Sequence, residues 1–472
     1  MGEKVNQLRS KLYQVRFEIA IVLSLVLGMV LRFFKLDRQS LWGDELYSVY
    51  ASSLTNWTDF WSYLSVDPHP PVFQILLSVW IRLLPEFTEF SVKLFPVFIS
   101  VINLFFLWIL TQHWDKPKRF LFLFFMSLSP GAIYYAQEVR SYSLLLCLSS
   151  LIVVFFADLD LEKGKKIRLV SLVFLSVFIS YVHLFGFIFV GSLYFIFWVQ
   201  FFLKRYSQSK SVFFLGLISF LAFLPFSYIL MNGSKIATAS WIDPPGLVLY
   251  LAYYSLFFYT SKKFLFLTVF VPILVLPYLA FKGKTQNSDS NSHGRHSASE
   301  TFLIVALFII ISTSLFSLLK PIVTNRNWIV TLPLIYYFVA DRLQKSLGKR
   351  FVLPALILLT LFSLIDFKKN FYLVFKEDWR ATAHFVGNHC KPPLVLVDSY
   401  PEFLNLYLRW EGHSEFSPQL TAKDLKIEQT KVCVLRRFVE NNGIGFPEEP
   451  TYKKMGQSLF YGFTVEEYER SK

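Results

Sequence analysis

Apolar residues run along this chain in blocks of about 18–22, each bounded by a short charged loop, the length of helices that cross a membrane. The first block starts near Phe17, after a basic tail carrying Lys4, Arg9, Lys11 and Arg16. Leu31-Arg32-Phe33-Phe34 follows it where a signal peptide would show small residues, so the block is expected to remain as a first span. Further spans are expected at about 93–112, 119–133, 142–159, 168–184, 186–203, 211–230, 264–281, 301–319, 328–341 and 351–366, about eleven in all. Two shorter apolar helices, 72–84 and 247–260, are expected to lie on the outer surface. Lys and Arg crowd the loops on one side, which puts the N-terminus in the cytoplasm and the C-terminus outside. Phe281–Glu300, rich in Ser, Asn, Lys and His, reads as a flexible cytoplasmic loop.

From about Asp366 the pattern changes. PLVLVDS (393–399) and KVCVLRR (431–437) read as buried strands, and Pro401–Trp410 as a helix with an apolar stripe. The expected organisation is a polytopic α-helical membrane domain, 1–365, and a small extracytoplasmic α/β domain, 366–472.

The 472 residues are 54% hydrophobic and only 17% charged, away from soluble-protein averages in the direction of a membrane protein. The net charge of +14 lies mostly in the loops, so orientation explains it and nucleic acid does not. No CxxC or Cys/His cluster occurs among the three cysteines. Cys147 falls in an apolar block; Cys390 and Cys433 lie outside the cytoplasm under this topology, where a disulfide is chemically possible.

The candidate chemistry gathers on the outer face. Asp44 and Glu45 are adjacent acids rimmed by Trp42, Tyr47 and Tyr50. Asp67 and His69 flank Pro68, ahead of Pro70-Pro71. Tyr134, Glu138 and Arg140 lie in YYAQEVRSY, Asp243 in the loop after 211–230, and Arg326 in TNRNW. Each has an ordinary reading alone: a helix-capping Asp, a turn histidine, a surface pair worth under about 1 kcal/mol, a headgroup anchor. His183 reads as a packed polar group. Acids and arginines together at an outer membrane face suit glycosyl transfer from a lipid-phosphate sugar. Guanidinium groups stabilise the departing phosphate and a carboxylate takes the acceptor's proton. No Gly-rich nucleotide loop is present. A transporter or flippase of lipid-linked sugars is the alternative, but it predicts charges deep within helices, and these are nearly charge-free.

The order GDE after the first span, DPHPPVF before the second, LSPGAIYYAQEVRSYSL before the fourth and a late outer Arg resembles the GT-C glycosyltransferases. It is most similar to the family 39 type: protein O-mannosyltransferases and bacterial lipid A aminoarabinose transferases. EDWRATAHFV and LVLVDS in the tail also look like the outer domain of bacterial members. The resemblance implies a multi-pass enzyme of the bacterial inner membrane. It implies inverting transfer from a polyprenyl-phosphate sugar to an envelope glycan, lipid or protein. Asp44 is implied as base, Glu45 as its catalytic partner, and Arg326, with Arg140, as donor-phosphate ligands. Some members use a divalent metal at the acidic motif, for which Asp44, Asp67 and His69 are the candidates here.

Overall fold

The computed structural model describes residues 2–65, 67, 69–159, 165–203, 209–232, 242–259, 298–344, 352–390, 394–419, 431–437 and 452–470. The span expected at 264–281 and most of the 281–300 loop lie outside them. Helix α1 (Gly2–Phe33) packs on α6 (Lys116–Leu128) and turns Ile19, Leu23, Val26 and Val30 outward, as lipid-facing positions require. The shorter helices α2 (Gly43–Ser53), α3 (Trp57–Leu64) and α4 (Val72–Leu83) precede the long α5 (Glu89–Leu110). After α6 come α7 (Pro130–Ala136), α8 (Tyr142–Ala157), α9 (Lys165–Val182), α10 (Leu184–Leu203), α11 (Ser209–Asn232) and α12 (Leu247–Tyr254). Helix α13 (Ala298–Leu319), a 3-10 segment (Asn325–Thr331), α14 (Leu332–Leu343) and α15 (Val352–Phe367) complete the bundle. Helix α8 is the hub, buried along nearly all its length against α5, α9, α14 and the 3-10 segment.

Among the described residues, five helices are long and apolar enough to cross a membrane alone, and six if α6 and α7 count as one bent span. The single helix expected at 119–133 is broken by 47° between α6 and α7. Pro130 lacks the N–H that would bond the Met126 carbonyl, and the Gly131 N–H donates to Leu256 O at 2.9 Å. The two freed carbonyls are taken by one side chain. Arg32, 1% exposed in the last turn of α1, donates to Met126 O at 3.1 Å and Ser127 O at 2.7 Å. It also bonds Gly28 O and Ser100 Oγ, each at 2.7 Å. Four acceptors explain how a guanidinium is held there without an acid. The other end of the bundle holds basic groups paired with Glu18, Asp341 and Glu300.

Beyond α15 the chain makes α16 (Lys369–Tyr372), α17 (Trp379–His389), β1 (Leu394–Val397), α18 (Pro401–Trp410), β2 (Ser417–Gln419), β3 (Lys431–Arg437), β4 (Tyr452–Phe460) and β5 (Phe463–Arg470). The sheet order is β2-β1-β3-β5-β4. β1 pairs parallel with β2 and β3, whereas β5 runs antiparallel to β3 and β4. Both expected strands are present, as β1 and β3. A Cys390–Cys433 disulfide ties the end of α17 to β3. Helix α18 docks on the bundle: Tyr407 Oη accepts the Leu41 N–H at 2.8 Å and Trp410 Nε1 donates to Phe87 O at 3.0 Å.

Candidate functional site

Helix α2 begins at Gly43, so Asp44 and Glu45 occupy its first turn, where acids favour the helix dipole. Successive helical residues point about 100° apart, and the two carboxylates separate accordingly. Asp44, its side chain 34% exposed, meets Arg326 at 3.0 Å. Arg140 grips the same turn from the 137–141 connection, donating to Asp44 O at 3.0 Å and Ser48 Oγ at 3.1 Å. Burial pushes the Asp44 carboxyl up, but Arg140, Arg326 and His69 outweigh it and hold it below the usual carboxylate range. Arg326 sits on the 3-10 segment, between the Trp42 ring at 5.2 Å and the Tyr142 ring at 5.7 Å. The single helix expected at 328–341 does not start there: Pro333 enters the first turn of α14, and the tighter 3-10 turn before it carries the arginine.

Asp67 and His69 form a side-chain pair at 2.7 Å, and Asp67 also accepts the His69 N–H at 2.9 Å. Burial raises the Asp67 carboxyl, but His69 first and Arg140 next bring it below its ordinary value. The His69 ring lies 4.9 Å from the His183 ring, so the packed histidine of the sequence reading lies beside the Asp67–His69 pair. His183 Nδ1 accepts from the Phe185 N–H at 3.1 Å, which assigns the proton to Nε2. That nitrogen has no partner among the described residues, nor do Trp42 Nε1, Glu138 Oε1 and Arg140 Nε. Glu138 is 2% exposed. Burial pushes its carboxyl up; Lys376 opposes this and Glu45 adds to it.

Glu45, expected beside Asp44, is turned into the protein. It has no exposure and faces away from Asp44, taking Lys376 Nζ at 2.7 Å, the Val139 N–H at 2.7 Å and the Trp42 N–H at 3.2 Å. With three donors and no opening to solvent, the Glu45 carboxylate is out of a substrate's reach. Tyr134 stacks on Phe375 at 6.2 Å, with Lys376 Nζ 5.8 Å from its ring. It therefore lines the side of Glu45 rather than that of Asp44. Asp243 is exposed ahead of α12 and has no hydrogen bond or ion pair among the described residues, so it does not join the cluster. Among the described residues no three His, Cys, Asp or Glu groups are arranged to hold a metal. Asp44 is turned to a guanidinium and Asp67 to its own histidine, and no step below is routed through a metal. Lys376 and Glu377 were missed; their signal was the charged KEDW stretch that opens the C-terminal region.

No protein-family model matches the sequence, and no curated protein matches it. Solved structures do. ArnT from Cupriavidus metallidurans in the apo state superposes with a TM-score of 0.60 at 11% identity, covering 95% of this chain and 97% of that one. The same protein bound to undecaprenyl phosphate gives the same values. A looser likeness, TM-score 0.49 at 12% identity over 86% of this chain and 65% of that one, is to an Archaeoglobus fulgidus oligosaccharyltransferase. Over 95% of its length, then, this chain shares the fold of ArnT, built on a helical bundle whose described residues include five helices long and apolar enough to cross a membrane.

Proposed function

We propose that the protein is an inverting membrane glycosyltransferase that moves a sugar from a polyprenyl-phosphate donor to an envelope glycan, lipid or protein. It sits in the bacterial inner membrane with the N-terminus cytoplasmic and the sheet-bearing domain outside. The observation that carries the reading is the Asp44–Arg326 contact at 3.0 Å: it joins, from distant parts of the chain, the two groups the reaction needs. The structural relative crystallised with undecaprenyl phosphate supports the choice of donor class.

Asp44 is the general base, and its depressed pKa keeps it ionised near neutral pH. The acceptor hydroxyl loses its proton to the Asp44 carboxylate as its oxygen attacks the anomeric carbon. The bond from that carbon to the phosphate oxygen breaks, and the phosphate leaves with the electron pair. Arg326 gives part of its fork to that phosphate, while Arg140 supplies a second positive charge at the same turn. Inversion follows from one displacement from the opposite face. The test is Asp44→Asn, which keeps the side-chain shape and removes the base. Incubated with native envelope lipids, it should release no polyprenyl phosphate above background while running as a folded monodisperse protein in detergent. Near-normal release ends the proposal.

A further inference from the structure

Two residues at the mouth of the C-terminal domain grip the turn that carries Asp44. Lys376 Nζ lies 2.7 Å from Glu45 Oε2, with the lysine side chain 8% exposed and the glutamate sealed. The next residue, Glu377, accepts the Gly43 N–H at 3.2 Å. Glu377 is itself held by Arg437 Nε at 2.6 Å and Trp379 Nε1 at 3.0 Å. The approach is close: a Cβ on Gly43 would stand 2.9 Å from an Arg437 nitrogen. The far oxygen of Glu45 takes the Val139 N–H, tying in the connection that bears Glu138 and Arg140.

We propose that the Glu45–Lys376 ion pair, with Glu377 beside it, is a positioning device by which the C-terminal domain sets the direction of Asp44. This rests on the transferase reading above. A buried ion pair contributes little net stability compared with apolar residues of similar size, because desolvation consumes the attraction. What it does supply is geometry. Glu45 follows Asp44 in the same helical turn, so pinning Glu45 on three donors fixes where Asp44 points. A shift of about 1 Å at a base costs on the order of a hundredfold in rate.

The test is Glu45→Gln with Lys376→Met, which removes both charges of the pair at once. Polyprenyl phosphate release and backbone hydrogen exchange of 41–50 are measured on the full-length protein. Expected are an unchanged melting temperature within about 2 °C, at least a tenfold lower kcat, donor KM within about twofold of wild type, and faster exchange of 41–50. Wild-type kcat overturns the proposal, as does a raised KM at unchanged kcat, which marks a ligand contact. If the double variant does not fold, Glu45→Asp, one methylene shorter with the charge kept, should show the same split, and Lys376→Arg should retain most of kcat. If wild-type protein releases no polyprenyl phosphate, the transferase reading falls, while the exchange rates still decide whether the pair orders the turn.

Discussion

Arg326→Gln separates the two tasks assigned to that arginine. At 3.0 Å and an effective dielectric of about 20, the attraction between Arg326 and Asp44 is about 5 kcal/mol. Asp44 keeps 34% of its side chain exposed, so water screens most of this and about 1–2 kcal/mol remains. The sign follows from the proposed role: a base works ionised, so activity is lost as pH falls through its pKa. Arg326 lowers that pKa, and its removal moves the acid limb up; Arg140 remains and limits the shift. The lost charged contact to the phosphate should also reduce kcat/KM about 10- to 100-fold at every pH. The assay is the pH dependence of kcat/KM for polyprenyl phosphate release, which reports the free enzyme. The donor is a phosphodiester and does not titrate in this range. A rate loss with an unmoved acid limb would refute the coupling and remove Asp44 from the role of base.

Further predictions concern the frame around the site. Arg32→Leu leaves Met126 O and Ser127 O without their donor at the α6–α7 break, at a cost of about 1–3 kcal/mol each, and should lower the melting temperature in detergent by several degrees. Cys433→Ser opens a loop of 43 residues and should remove about 4 kcal/mol, read as earlier thermal unfolding that adding dithiothreitol lowers no further. Wild-type protein treated with dithiothreitol should match it.

Much of the scaffold is legible in the sequence. The long blocks at 93–112, 186–203 and 301–319 are present as α5, α10 and α13, because a run of some twenty apolar residues has few other ways to satisfy its backbone in lipid. Helix ends and breaks were less legible. The bend at Ser129–Pro130 depends on whether something else caps the freed carbonyls, and the capping group, Arg32, lies almost a hundred residues away. The motif residues Asp44, Asp67, His69, Arg140 and Arg326 meet as a group, while Asp243 stays outside it. Proximity to the membrane surface was the only argument for including Asp243, and that admits any polar loop residue.

The sequence by itself determined the class of protein, since hydrophobic block length and loop charge are local properties written residue by residue. It also determined which residue types were available for chemistry. What only the tertiary structure decided was the division of labour between neighbours. Asp44 and Glu45 are identical to any composition argument, yet one faces an arginine at the cleft and the other is sealed against Lys376. Helical geometry turns adjacent residues apart by about a quarter turn, and what each then meets comes from segments that only folding brings together.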